Sequence, residues 1–222
     1  MIEYVVPNNI DDRVLAKVAR ILENGGLAAL PTDTSWSIVC SLKSAAGIKK
    51  LRKLSGERDE RHFTLLCSDI SQFGDLCSMD NSRFRLVKRL FPGPYVFILK
   101  TLLGTEKALD IKRREVGVRI PCHPVPLALI KTLGSPLYSI TAKKSMHKKT
   151  EFENIPSPAE SLELPPIPEE DLFEGGWELD DIEEIDLVLD DGEERERIFS
   201  TILDISSDDI KLLRQGSGKW PA

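Results

Sequence analysis

Little in this chain points to disulfides, metals or membranes. Four cysteines stand among 222 residues, and no two form a CxxC pair. Cys40, Cys67, Cys77 and Cys122 therefore read as reduced, small core residues, three of them in or beside apolar strand-like runs. The three histidines, His62, His123 and His147, lie far apart, and no His/Cys pair has zinc-ligand spacing, so no metal site is expected. No apolar run approaches the roughly 18 residues that span a bilayer. Met1–Val6 reads as a strand and lacks the basic-then-apolar order of a signal peptide. The expectation is a cytoplasmic protein with no membrane association.

What is present is an apolar fraction of 41%, enough for a sizeable core, and an uneven charge. Residues 1–150 hold 25 Lys+Arg and 14 Asp+Glu, a net of +11. Residues 151–222 hold 5 Lys+Arg and 22 Asp+Glu, a net of −17. A basic body attracts phosphate-bearing ligands. An acidic segment either solvates or covers such a surface.

Short strand-like runs alternate with amphipathic helices. Asp11 or Asp12 is placed to cap a helix running to about Glu23, with Val14, Leu15, Val18, Ile21 and Leu22 as its apolar stripe. Asn24-Gly25-Gly26 ends it. Strands are predicted at Leu27–Leu30, Trp36–Cys40, Phe63–Cys67, Tyr95–Lys100, Val116–Ile120 and Leu137–Thr141. Helices are predicted from Ser44 to about Leu54, over Ser68–Leu76 and Asn81–Phe91, and over Pro124–Leu133 with Gly134 after it. From about Lys143 to Glu184 the rhythm breaks. Five prolines among many acidic residues there predict a loop or a mobile insertion, bounded at about 151–184. Strand-like order returns at Ile185–Leu189, Ile198–Asp204 and Ile210–Arg214. The mixture implies an α/β protein, a twisted mixed sheet flanked by helices, forming one domain over residues 1–218.

Five segments carry polar chemistry at strand ends. Pro31-Thr32-Asp33-Thr34 follows a buried strand; its hydroxyls suit carboxylate or phosphate oxygens, and Asp33 suits an ammonium, or simply caps a turn. Lys49, Arg52 and Lys53 share one helical face, which is either a solvated surface or a place for an anion. Arg119 is the single charge in the apolar strand Val116–Ile120; it either meets an anion or lies on an edge strand. Tyr138–Ser145 ends a strand in hydroxyls and lysines, including Thr141, Lys143 and Ser145. Ser200-Thr201 leads Ile202-Leu203-Asp204, and Arg214 stands two residues before Gly216, which suits a close backbone approach or a positive φ.

None of these segments is specific alone, but their order is. Pro-Thr-Asp-Thr, a Lys-rich helix, Pro-Gly-Pro, Val-Gly-Val-Arg-x-Pro, a hydroxyl and lysine strand end, Ser-Thr-x-x-Asp and Arg-x-Gly resemble the YrdC/YciO family from about Ile10 to Gly218. The His62–Cys67 and Pro94–Lys100 runs are similar to its YciO branch. The resemblance implies a YrdC-like twisted sheet with a concave, basic face. It implies nucleotidyltransferase chemistry: threonylcarbamoyl-AMP made from threonine, bicarbonate and ATP with Mg²⁺, for tRNA threonylcarbamoyladenosine modification. Thr32, Thr34 and Arg119 would then bind substrate. Ser145, Ser200, Thr201 and Arg214 would bind nucleotide, and Lys53, Thr141 and Lys143 would take the catalytic positions.

The chain departs from the synthase pattern where cations matter most. Ser55 stands where the family carries Arg, Thr141 where it carries Ser, Lys143 where it carries Asn, and Val96 where it carries Thr. One cation is lost and one gained, and an ammonium does not reproduce the bidentate guanidinium fork. Two readings follow: a synthase-like enzyme, or a module that binds tRNA or double-stranded RNA on the basic concavity without efficient synthesis.

Overall fold

A computed structural model describes residues 1–55, 63–102, 114–146 and 168–221. Ten strands form one sheet: β1 (Ile2–Tyr4), β2 (Ala28–Leu30), β3 (Ser37–Ser41), β4 (Thr64–Leu66), β5 (Tyr95–Lys100), β6 (Glu115–Arg119), β7 (Leu137–Thr141), β8 (Leu187–Asp190), β9 (Thr201–Asp204) and β10 (Lys211–Arg214). Their order is β1-β8-β2-β3-β7-β4-β6-β5-β9-β10. The pairs β1/β8, β2/β8, β4/β6 and β5/β9 are parallel and the others antiparallel, which is the mixed sheet the sequence predicts.

Five α-helices are described: α1 (Asp12–Glu23), α2 (Ala45–Leu54), α3 (Ile70–Gly74), α4 (Asn81–Leu90) and α5 (Pro124–Leu133). Their starts follow from side-chain caps that satisfy otherwise orphaned amides. Asp11 accepts from the Arg13 amide at 2.8 Å, and the Ser44 hydroxyl accepts from the Gly47 amide at 3.2 Å. Gly134 ends α5 at φ 66°, a left-handed position that glycine enters without a Cβ clash.

The helices divide between the two faces of the sheet. Leu15, Val18 and Leu22 of α1 pack with Val125, Leu129 and Leu133 of α5 against Leu30, Val39, Leu66 and Leu187. Ile48 and Leu51 of α2, Phe73 of α3 and Val87 of α4 pack on the other face against Ile38, Leu65, Phe97 and Val118. α1 and α5 therefore cover only part of their face. On the same side of β5 and β9, Val96, Ile98 and Ile202 form a separate small cluster with Leu213.

In the acidic stretch, the described residues from 168 are irregular chain, as the predicted loop requires, but they are packed into the fold and do not form a mobile insertion. Residues 147–167 lie outside the described part, but the chain from 168 onward is built into the fold. Leu172, Phe173, Leu179, Ile182 and Ile185 are buried, and two single 3₁₀ turns (Glu169–Asp171 and Gly176–Leu179) carry the acids outward. β8 then enters the sheet between β1 and β2. Other differences are of one to three residues at element ends. β6 lies between β4 and β5, so the edge-strand alternative for Arg119 does not hold.

Three cysteines are buried and unpaired as expected, while Cys122 is exposed. Burial pushes the Cys40 and Cys77 thiols up to about 12, which keeps them protonated at neutral pH.

Candidate functional site

The open part of the α1/α5 face carries the site. Register puts Val96 beside Ile202 and Ile202 beside Arg214. Continuing the Phe97–Val118 pairing by one residue sets Arg119 beside Val96. Paired residues share a face, so Arg119 and Arg214 end one row across four strands with two apolar side chains between them. Ser200, two residues before Ile202, belongs to the same face.

The β2–β3 connection reaches this row. Asp33 accepts from Arg119 Nη2 at 2.7 Å and from the Cys122 amide at 3.0 Å. Arg119 is 5% exposed, so the pair is largely out of water. Two of its buried polar atoms, Asp33 Oδ2 and Arg119 Nε, have no protein partner. Burial lowers the Arg119 pKa, and the Asp33 carboxylate opposes that shift. Burial, then the Arg119 charge, pull the Arg214 guanidinium down to about 10. Arg214 donates to the Ser200 carbonyl at 3.1 Å and sits 4.9 Å from the Phe199 ring centroid. Arg119 is paired with Asp33, the Arg119 charge bears on Arg214, and a bound anion would relieve the repulsion between the two cations.

Hydroxyls line the same turn. Thr32 donates to the Ser35 carbonyl at 2.7 Å and lies 3.2 Å from the Thr34 hydroxyl. With its proton so engaged, Thr32 accepts from Thr34, and Thr34 from Ser200 across 3.4 Å. The relay leaves lone pairs on Thr34 and Ser200 for a donor on a ligand.

Of the residues singled out in the sequence, Thr32, Thr34, Arg119, Ser200 and Arg214 come together. Thr201 faces away from them. Its hydroxyl donates to the Gly218 carbonyl at 2.5 Å and accepts from the Gly216 amide at 2.9 Å, so its bonding capacity goes to holding the 215–218 turn. Ser145 gives its amide and hydroxyl to Asp171 at 2.6 and 2.8 Å. Thr141 is half-buried opposite Ser37, and Lys143 is half-buried two residues beyond. Lys53 is exposed in the last turn of α2, on the other side of the sheet, and among the described residues no contact joins it to the cluster. Asp33, offered in the sequence for an ammonium or a turn cap, joins the cluster as the partner of Arg119, a pairing the sequence does not announce. Its only local signal is a carboxylate between two threonines after a buried strand.

Gly216 is required for close approach and not for a positive φ. A Cβ there would lie 2.2 Å from the Phe199 carbonyl oxygen and 2.5 Å from the Ser200 carbonyl carbon, both backbone atoms. Gly216→Ala should therefore cost about 1–3 kcal/mol, as overpacking does. It should also displace Ser200 from Thr34. Urea unfolding of the variant checks the first effect; an unchanged midpoint would show that the 215–218 turn yields freely.

A twisted mixed sheet with the buried Arg119–Asp33 pair, the half-buried Arg214 and a hydroxyl turn on its open face characterises this α/β protein. The sequence model of the Sua5/YciO/YrdC family, described as telomere recombination, matches residues 20–156, and the chain belongs to that family. YciO of Escherichia coli strain K12 is 28% identical over 218 residues, 97% of this chain and 95% of YciO. The crystal structure of E. coli YciO superposes with a TM-score of 0.79 at 25% identity, covering 100% of this chain and 98% of that one. Mouse threonylcarbamoyl-AMP synthase is 28% identical over 191 residues, 83% of this chain and 60% of the synthase. P. abyssi Sua5, crystallised with L-threonine, shares the fold at a TM-score of 0.75 and 21% identity, covering 97% of this chain and 57% of Sua5.

Proposed function

We propose that this protein binds an α-amino acid of the threonine type together with an adenine nucleotide, and acts on the threonylcarbamoyl-AMP chemistry that serves tRNA modification. The observation that carries this reading is the buried Arg119–Asp33 pair with Arg119 Nε and Asp33 Oδ2 both unpartnered. A zwitterion offers one group to each: a carboxylate to the guanidinium and an ammonium to Asp33. Arg214 supplies a second cation for an α-phosphate. The relatives supply the chemistry. A threonylcarbamoyl-AMP synthase is similar over 83% of this chain, and Sua5 holds L-threonine on the same fold.

In the synthase direction, threonine and bicarbonate give a carbamate and water. A carbamate oxygen then attacks the α-phosphorus of ATP, and pyrophosphate leaves. The fixed cations would hold the two anions together and orient the attack. Mg²⁺ would arrive with the triphosphate; among the described residues no group of three His, Cys, Asp or Glu side chains is placed to hold it. Val96, where synthases carry Thr, forms part of the apolar floor and offers no hydroxyl. Among the described residues no helix is long and apolar enough to cross a membrane, and the reading places the protein in the cytosol.

The test is incubation with threonine, bicarbonate, Mg²⁺ and ATP, with pyrophosphate and the adenylate followed together. The expected result is threonine-dependent release of pyrophosphate. No release, and no heat of threonine or nucleotide binding, would overturn the reading. A second reading, an RNA-binding module, draws on the exposed Lys49, Lys50 and Lys53 of α2 and Arg85 and Lys88 of α4, two helices packed on one face of the sheet. Salt-dependent binding of duplex RNA or tRNA without pyrophosphate release would favour it.

A further inference from the structure

The two edges of the sheet are built differently. β1 and β10 stand first and last in the strand order, so among the described residues neither has a strand on its outer side. β10 carries devices that discourage further pairing: Lys211 is exposed on it, and its register slips between Leu212 and Arg214. β1 carries neither. Its pairing with β8 is parallel and regular, Ile2 with Val188 and Tyr4 with Asp190. Its one charged side chain, Glu3, alternates to the opposite face and pairs with Lys17 of α1 at 2.6 Å.

The hydrogen bonds fix which groups this edge offers. The Met1 carbonyl accepts from the Val188 amide, and the Val5 amide donates to the Asp190 carbonyl, both at 2.8 Å. In a parallel ladder of this register, residues 1, 3 and 5 spend their backbone groups on β8. Ile2 and Tyr4 therefore turn N–H and C=O outward, and among the described residues nothing bonds them there.

The flank of this edge is apolar. Met1, Tyr4 and Val6, on the strand and at its ends, are 60%, 70% and 66% exposed. Trp177, another exposed aromatic, stands in the Gly176–Leu179 turn, where a Cβ on Gly176 would lie 2.5 Å from the carboxylate of Asp190, the residue paired with Tyr4. Exposed apolar groups gathered in this way mark an interaction surface. The charge beside them is of one sign. From Asp180 to Asp186 the chain holds five carboxylates and no Lys or Arg, and it leads directly into β8. Asp180 lies 2.5 Å from the Met1 amine, which puts this run at the start of β1. A second copy seated on the same edge would bring two such runs together, against their repulsion.

We infer that the outer edge of β1 is a docking site for a partner protein, which adds to the sheet an extended run of β-branched or aromatic residues flanked by Lys or Arg. Ile2 and Tyr4 supply the backbone pairing, the Tyr4 side chain packs on the incoming strand, and the acidic run selects its charge.

Fluorescence anisotropy of the full chain with the labelled peptide Lys-Lys-Val-Thr-Val-Thr-Val-Lys-Lys tests it. Saturable binding is expected. The same core flanked by Glu pairs, and the Lys peptide with its core amides N-methylated, should each bind about tenfold or more weaker. Tyr4→Pro deletes an outward N–H and no β1–β8 bond, and it should also weaken binding by about tenfold. If that variant does not fold, Tyr4→Lys, at an exposed side chain, should give a comparable loss by setting a cation against the peptide, and the Ile2 and Tyr4 amides of the unmodified protein should exchange hydrogen more slowly with the peptide bound. Equal affinity for the N-methylated peptide would reduce the binding to charge and overturn the docking strand. So would no binding of the Lys peptide, or full affinity in the Tyr4 variants. A concentration-dependent dimer in sedimentation that Tyr4→Lys abolishes would make the occupant a second copy and overturn the partner.

Discussion

Arg119→Ala is expected to lower the free energy of unfolding by about 3–5 kcal/mol, the cost of removing one partner from a buried ion pair. Arg119 has a side-chain exposure of 6% and Asp33 of 14%, so the stranded carboxylate has little water to turn to. The loss should be much smaller when Asp33→Asn accompanies Arg119→Met, because no buried charge is then left alone. Urea unfolding of both singles and the double gives the coupling directly. Ligand binding separates the structural role from the functional one. Arg119→Lys keeps a charge but not the planar fork, and it should weaken threonine or nucleotide binding by about 1.5–3 kcal/mol even where folding is retained. Full affinity in Arg119→Lys would remove Arg119 from the site and leave it as a fold-stabilising residue.

Arg119 is also the clearest case of what a sequence reveals. A lone guanidinium in the apolar run Val116–Ile120 announces an anion. Asp33, 86 positions earlier, is not announced as its partner, because pairing across a sheet depends on strand order. The same limit applies to β8, whose place between β1 and β2 has no local signal. The α1 stripe and the glycine ending α5 were legible because period and φ are local properties. The packing of the 168–185 segment was not. Its buried residues sit in single 3₁₀ turns too short for a helical period, and its surplus of carboxylates dominates any average of composition. Ser200 and Thr201 show the finer version of this problem. Adjacent strand residues face opposite sides, so a motif containing both contributes one hydroxyl to the open face and one to the turn behind it.

Asp191→Ala should produce a stability loss of similar size, about 3–5 kcal/mol, at a residue that no motif marks. The Asp191 carboxylate is fully buried and takes hydrogen bonds from His123 Nε2 at 3.1 Å and from Arg195 Nη2. His123 Nδ1 accepts from the Val125 amide at 3.3 Å, capping α5, so Nε2 carries the proton it donates to Asp191. One carboxylate thus ties the start of α5 to the β8–β9 connection that leads to Ser200. Removing it takes the acceptor from the imidazole N–H and leaves the Arg195 guanidinium, 13% exposed, with only the longer Glu193 pairing at 3.7 Å among the described ion pairs. For a chain of this length the loss corresponds to a fall in melting temperature of roughly 6–20 °C. Burial pushes the Asp191 carboxyl up, but the His123 hydrogen bond and the Arg195 charge outweigh it and hold the pKa below the usual value. A lowered carboxylate pKa means that the folded state binds the proton less readily than the unfolded state does. Its contribution is fully present above the unfolded value of about 3.9 and is lost as pH falls through the lower, folded value. The gap between unmodified protein and Asp191→Ala should therefore be constant from pH 7 to about pH 5 and narrow below about pH 4. Thermal melts across that range decide it. A gap that stays open down to pH 2 would show that shape, and not the charge on Asp191, holds the β8–β9 connection in place.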